Sequence, residues 1–387
     1  MNTTLPEPSD DAKAASNALR QRIASEIRAG DADGWMSFAR YMGLALYTPG
    51  LGYYAGGSRK FGVEGDFLTA PELTPLFGQA LARQVAQIMQ ASSLAVIEAG
   101  AGSGKLAADL LLALDALGQL PERYRILELS GELQARQRDT IAALAPQFLA
   151  RVEWLDALPD NFSGCIIGNE LLDAMPTHEV AWREDGIKEI GVTLDAAGDF
   201  VYSERAADAH LVALAGTLEV TAPFRSEIGL AARSWVSEMT RRLHDGGLLL
   251  IDYGLPRHEY YHPQRDGGTI RCHYRQRTHD DPFWWPGLSD ITAHVDFTAI
   301  AEAAHDAGAD VAGYTSQAAF LMNCGIADLL AERQRGDDAA ATARATGALN
   351  LILSPNEMGE LFKVIALTKN IDEPLLGFSR GDRTHAL

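Results

Sequence analysis

One stretch constrains this chain more than any other: Ser93-Leu94-Ala95-Val96-Ile97-Glu98-Ala99-Gly100-Ala101-Gly102-Ser103-Gly104-Lys105. The apolar run from Leu94 to Ile97 suits a buried strand, and it ends in an acid. Three glycines then alternate with small residues. Beyond them Leu106, Leu110, Leu111, Leu114 and Leu117 recur at helical spacing. Strand, glycine turn and helix in that order open a doubly wound α/β sheet. The glycines let the backbone turn tightly toward a ligand, and the helix N-terminus offers free N–H groups.

Two phosphate chemistries fail at this loop. A P-loop needs a glycine where Ala99 stands and a hydroxyl where Leu106 stands. A dinucleotide fingerprint needs its third glycine three residues after the second, yet Gly104 follows Gly102 by two. The order E-x-G-x-G-x-G instead resembles motif I of the class I S-adenosylmethionine (SAM) methyltransferases, in which the strand-end acid faces the methionine ammonium. SAM has no phosphate, so Lys105 would have none to neutralise. A glycine-rich turn without a ligand is the plain structural alternative.

At 387 residues the chain can bury a large core, and its length suggests two or three structural units. A net charge of −19 argues against a nucleic-acid backbone or an anionic lipid surface as partner. It suits a cationic substrate, and it equally suits simple solubility. Cys165, Cys272 and Cys324 lie far apart and form no C-x-x-C pair, which fits a reducing compartment. No apolar run approaches the ~18 residues of a membrane span. Residues Met1 to Asp11 carry three acids and no apolar core of a signal, so a cytoplasmic location is expected.

Residues 1–12 read as a disordered tail and 13–92 as a helical N-terminal cap. Within the cap, helices are expected from Ala14 to Ala29, around Trp35 to Leu46, and from about Thr74 to Met89. The α/β core begins at 93–176, with strands at 94–98, Tyr124 to Leu129, Arg151 to Trp154 and Gly164 to Gly168. A β-rich insertion, 177–229, alternates like antiparallel strands at Glu179 to Trp182, Ile187 to Thr193 and Phe200 to Tyr202. The core continues at 230–254: a helix from Leu230 to Leu243, a break at Gly246-Gly247 and a strand Leu248 to Asp252. Residues 255–295 form an aromatic-rich insertion, too long for a simple loop. Residues 296–387 complete the core with helices and a strand Leu361 to Leu367.

Polar groups gather where strands end. Glu128 stands at the end of the second core strand, about thirty residues beyond the glycine loop, where a carboxylate can accept both ribose hydroxyls of an adenosine. Asp156, just past the third strand, reads either as an acceptor for an adenine amino group or as a helix N-cap. Asn169, Glu170 and Asp173 follow the fourth strand, beside the crevice of a doubly wound sheet. They read as site residues, or else as helix capping by Asn169 with the two acids solvated. His258, His262, Cys272, His273 and His279 match no zinc spacing, and no metal site is expected.

Several strings together make the chain similar to the MidA family of SAM-dependent methyltransferases, whose mitochondrial members assist assembly of respiratory complex I. They are Gly65 to Glu72, Glu98 to Gly104, Leu127 to Ser130, Asn169 to Pro176, Ile251 to Gly254, Gly268 to Arg271 and Asp290 to Phe297. They run from about residue 20 to 370. Thr-Ala-His-Val-Asp-Phe and Asn-Glu-Leu-Leu-Asp-Ala-Met-Pro are specific strings; the glycine motif is not. The chain departs at Ala99, Ala101 and Lys105.

The resemblance implies a Rossmann-like class I methyltransferase sheet with a helical N-terminal region and inserted segments. It implies SAM as cofactor, held by Glu98, Gly100, Gly102, Gly104, Glu128, Asp156 and Asn169. It also implies methylation of a protein arginine, symmetric dimethylation in the mitochondrial branch, with a complex I subunit as one target. For that chemistry Glu170 and Asp173 are the expected orienters of the guanidinium, with His294 and Asp296 as a second polar pair. His294 reads equally as a buried histidine tying the insertion to the core. Asp66, Thr69, Glu72 and Tyr253 are expected around the substrate or its lid; Asp66 either caps its loop or closes over SAM. The expected partner is a protein with an exposed arginine, and a homodimer is compatible. Two other readings stay open: a small-molecule N- or O-methyltransferase, and a non-catalytic assembly factor that keeps the fold as a platform.

Overall fold

The computed structural model describes residues 5–30, 34–56, 69–335 and 339–387. The chain divides into two compact units, one built from Leu68–Leu172, Ser234–Pro256 and Phe297–Leu387, the other from Met1–Phe67, Asp173–Arg233 and Arg257–Asp296. The seven serial segments read from the sequence thus regroup, each unit collecting three pieces of chain.

The larger unit carries the glycine turn. Its strands are β1 (Ala95–Ala99), β2 (Arg123–Leu127), β3 (Val152–Leu155), β4 (Phe162–Asn169), β5 (Leu243–Leu255), β6 (Asp310–Ser316) and β7 (Phe362–Lys369). They lie side by side in the order β6-β7-β5-β4-β1-β2-β3. The pairs β5–β4, β4–β1, β1–β2 and β2–β3 are parallel, and β7 runs antiparallel to both of its neighbours. Central strands buried on both faces need continuous apolar runs, and Cys165 to Ile167, Leu248 to Ile251 and Val364 to Leu367 supply them. Helices Pro75–Ala91, Lys105–Ala116 and Gln317–Asn323 add Phe77, Leu81, Leu110, Leu114, Phe320 and Leu321 to the same core.

The chain runs outward from β1 to β3 and then crosses back to β4 on the other side of β1. That reversal is the topological switch of a doubly wound sheet, and the crevice opens at the carboxyl ends of β1 and β4. The expected α/β class holds.

The smaller unit is antiparallel. Gly186–Leu194 pairs with Phe200–Ala206 along one edge, and with His178–Arg183 and Trp35–Ser37 along the other; Phe224–Ile228 continues beyond His178–Arg183. Helices Asp10–Ala29 and Phe38–Tyr47 pack Leu19, Ile23, Ile27, Tyr41 and Met42 into its core. A second sheet joins Arg271–Tyr274 to Arg277–His279 and Asp290–Thr292, so the aromatic-rich insertion is ordered around strands.

Several boundaries differ from expectation. The first helix starts at Asp10, capped by Ser9, so residues 10–12 are not tail; residues 1–4 lie outside the described ones. Trp35–Ser37 is strand rather than helix, because its backbone pairs with Gly191 to Thr193, and tertiary pairing outweighs local propensity. The helix from Leu230 ends at Arg242, ahead of the glycines, but the strand begins at once with Leu243, so Gly246-Gly247 lie inside it and pair with β4 on one side and β7 on the other.

Candidate active site

Register places the polar strand ends next to one another. Ala99 pairs with Leu127 of β2 and with Gly168 of β4, so Gly100, Glu128 and Asn169 emerge side by side from three adjacent strands. The turn after β1 takes left-handed backbone at Gly100 (φ 69°), Gly102 (φ 51°) and Gly104 (φ 84°). Gly104 is required twice over. Its φ disfavours any side chain, and a Cβ there would stand 2.9 Å from Gln137 Cα.

Glu98 is 2% exposed and accepts a hydrogen bond from the Tyr124 hydroxyl at 2.6 Å. Burial pushes its carboxyl up to about 7, against the opposing pull of that hydrogen bond. Glu128 is also raised by burial, while the Ser130 N–H (2.9 Å) and Gln137 Nε2 (3.1 Å) donate to its two oxygens. Asn169 donates from Nδ2 to Glu170 Oε1 at 3.2 Å. Its own Oδ1 is buried and accepts nothing from the described residues. Lys105 does not reach the loop, because its ammonium is paired with Asp109 on the next turn of its helix.

The donor set therefore consists of two carboxylates, an open amide oxygen and glycine backbone. It fits an adenosyl ligand that carries an ammonium and no phosphate. It would not fit a triphosphate, which needs cations where these acids stand.

Glu170, directly after β4, is held in left-handed backbone (φ 50°), a conformation that costs a non-glycine residue about 1–3 kcal/mol. Three hydrogen bonds keep it there. Its N–H donates to Ile251 O at 2.8 Å, and the next two N–H groups, Leu171 and Leu172, donate to Asp252 Oδ2 at 3.1 and 2.8 Å. Asp252 is a positioning residue that sequence reasoning missed, although it lies inside one of the strings quoted for the resemblance. Neither capping alternative stands: no helix follows Asn169 or Asp156. Asp156 is exposed, just beyond the end of β3.

Glu72 is brought to the glycine turn, where its carboxylate accepts from the Ser103 hydroxyl. Thr69 is the N-cap residue of the short helix Ala70–Leu73 and makes no side-chain cap bond. Tyr253 packs its ring edge-on against Phe362 of β7, with centroids 5.5 Å apart. Asp66 lies outside the described residues.

Asp173, His294 and Asp296 belong to the smaller unit. Asp173 is buried, and its carbonyl accepts the Ala293 N–H at 3.0 Å. The Arg257 guanidinium stands 3.6 Å from Asp296. The His294 backbone N–H donates to Thr269 Oγ1 at 3.0 Å, and Thr269 is itself clamped: its N–H and hydroxyl donate to the buried Glu227 carboxylate. Gly268 allows this approach, since a Cβ there would meet Glu227 Oε1 at 2.0 Å. The Gly-Thr-Ile-Arg string thus encodes a carboxylate clamp. Among the described residues no group of three or more His, Cys, Asp or Glu could hold a metal ion, and no helix is long and apolar enough to cross a membrane.

Comparison with known proteins agrees with this geometry. A family described as "Putative S-adenosyl-L-methionine-dependent methyltransferase" matches residues 80–315. A crystal structure of a Burkholderia thailandensis protein bound to S-adenosyl-homocysteine is 51% identical, with a TM-score of 0.94 over 99% of this chain and 100% of that one. The zebrafish (Danio rerio) protein arginine methyltransferase NDUFAF7, mitochondrial, is 28% identical over 91% of this chain and 87% of its own length. Its Caenorhabditis elegans homologue is 27% identical over 91% and 86%.

Proposed function

Because the chain belongs to the S-adenosylmethionine-dependent methyltransferase family that matches most of its length, we propose that it methylates an arginine side chain of a protein. The observation that carries the cofactor half of this reading is a pair of carboxylates, the buried Glu98 and the half-buried Glu128, at adjacent strand ends beside a left-handed glycine turn. Support for the acceptor half comes from the names of the curated relatives.

Glu98 and the open Asn169 oxygen hold the ammonium, and Gly100, Gly102 and Gly104 admit the ligand close to the backbone. Glu128 takes the ribose hydroxyls. The exposed Leu129 offers an apolar face to the adenine, with Asp156 near its amino group. Bound there, SAM supplies a methyl group activated on a sulfonium.

The guanidinium is planar, permanently charged and a poor nucleophile. Glu170, fixed by its strained turn, accepts from it bidentately and aims one nitrogen along the line of displacement. That nitrogen forms a bond to carbon as the sulfur–carbon bond breaks, and a carboxylate or histidine takes the departing proton. Asp173, His294 and Asp296 are carried as the smaller unit's candidates for acceptor contacts. Thr69, Glu72, Tyr253 and Asp66 are carried as substrate or lid residues.

The acceptor is a protein with an exposed arginine, with a respiratory-complex subunit as first candidate; nucleic acid and membrane insertion are not part of the reading, and a homodimer is compatible. A cytoplasmic site of action is proposed on the three unpaired cysteines, whereas the curated relatives are named mitochondrial. The test is methyl-labelled SAM with purified enzyme and a protein extract from a strain lacking it. Labelled methylarginine that disappears with Glu170→Ala supports the reading. Label confined to metabolites, or label unaffected by that substitution, overturns it.

A further inference from the structure

The helix Gly131–Leu144 buries Leu133, Gln137 and Ile141 on one stripe, so a carboxamide sits where an apolar side chain would ordinarily pack. Gln137 is completely buried. Each of its hydrogen-bonding atoms is engaged. Nε2 donates to the Gly102 carbonyl at 3.2 Å and to Glu128 Oε2 at 3.1 Å, while Oε1 accepts from the Trp154 indole N–H at 3.0 Å. An indole nitrogen can only donate, so Trp154 selects the carboxamide oxygen and leaves the NH₂ group facing the loop and the acid. The Arg138 guanidinium lies over the Trp154 ring, 4.1 Å from its centroid, and restrains the indole. Gly104 rests against the Gln137 backbone, which brings the glycine turn within reach of the same side chain.

We infer that Gln137, oriented by Trp154, is the positioning residue that couples the glycine turn to the Glu128 carboxylate and sets how that carboxylate meets a ribose. The inference deepens the proposed function and rests on its assignment of Glu128 to the ribose hydroxyls. A glutamine in this place does two things that a leucine cannot. It spends one N–H on the Gly102 carbonyl and the other on Glu128 Oε2, while the Ser130 N–H holds Oε1, so the carboxylate plane is fixed from both sides and its remaining lone pairs are set toward ligand.

The experiment is calorimetric titration of the full-length protein with S-adenosylhomocysteine, with steady-state kinetics alongside. Gln137→Leu is expected to raise Kd about tenfold while kcat at saturating SAM stays within about twofold. In a Glu128→Ala background the same substitution is expected to change Kd by less than about twofold, because its target is gone. Gln137→Glu, closer in shape than leucine, is expected to bind worse than Gln137→Leu, since it sets a second carboxylate against Glu128. Trp154→Phe, a milder change to packing, should weaken binding about threefold and should add nothing to Gln137→Leu. A merely structural role would give losses of equal size with and without Glu128, and Gln137→Glu would be the gentler variant; either result overturns the inference. Equal Kd for wild type and Gln137→Leu overturns it while leaving the cofactor reading intact. Wild type giving no heat removes the cofactor reading itself, and this inference with it.

Discussion

Replacing Glu98 by glutamine tests the strand-end acid with little change of shape. Burial raises the Glu98 carboxyl from the ordinary 4.5 to about 7, so ionising it in the unliganded protein costs about 3 kcal/mol more than in water. A folded-state pKa raised by burial means that the native protein keeps a proton the unfolded chain has released. Stability of the unliganded protein therefore falls as pH rises from about 4.5 to 7, and stays lower above. A cationic ammonium beside the carboxylate offsets that cost, so SAM affinity should rise from pH 5.5 toward 7, before α-amino groups, with a pKa of about 7.7–8.0, lose most of their charge. Glu98→Gln keeps an acceptor for Tyr124 but loses the charge. At pH 7.5 it should melt higher than wild type without ligand and bind SAM about 30- to 150-fold more weakly, the value of a charge-assisted hydrogen bond of roughly 2–3 kcal/mol. Its affinity should also lose the rise that wild type shows across that pH range. Calorimetry and thermal melts at pH 5.5, 6.5 and 7.5 read both effects. A Glu98→Gln protein that binds within twofold of wild type, or a wild-type affinity flat across that range, would refute the reasoning.

Gly104→Ala should destabilise the protein by about 1–3 kcal/mol through strain and overpacking against Gln137, seen as a lower melting temperature, and should weaken SAM binding with it. Asp252→Ala leaves the Leu171 and Leu172 N–H groups without their acceptor, at about 1–3 kcal/mol each if buried, and should lower kcat more than it raises the KM for SAM. Lys105→Met should leave SAM affinity within twofold, because the ammonium serves Asp109 rather than the loop; a large loss in calorimetry would show that Lys105 supports the cofactor site after all. Glu227→Gln should expose the segment around Thr269 to proteolysis, since the Thr269 and Ile270 N–H groups lose a carboxylate that accepts from both.

The glycine turn, its flanking strand and helix, and the acids Glu98 and Glu128 were legible because apolar runs and glycine spacing leave few alternatives. The paired strands at 178–194 were legible from the alternation of polar and apolar residues, although both strands are in fact buried continuously through their middles. What escaped was decided by partners distant in sequence. Trp35 to Ser37 sits at the start of a helical pattern and becomes strand only because Gly191 to Thr193 is there to pair with it. Asp252 looked like an ordinary strand end, yet its carboxylate faces the turn after another strand. Gln137 did leave a signal, a carboxamide between Leu133 and Ile141 on the stripe a helix buries. Asp156 failed as a cap because a bend, not a helix, follows β3.

The most direct measurement is a crystal structure with S-adenosylhomocysteine bound. The account predicts the amino group against Glu98 and both ribose hydroxyls on Glu128, over the ends of β1 and β2. Ligand density anywhere else, or a ribose that leaves Glu128 untouched, would contradict it.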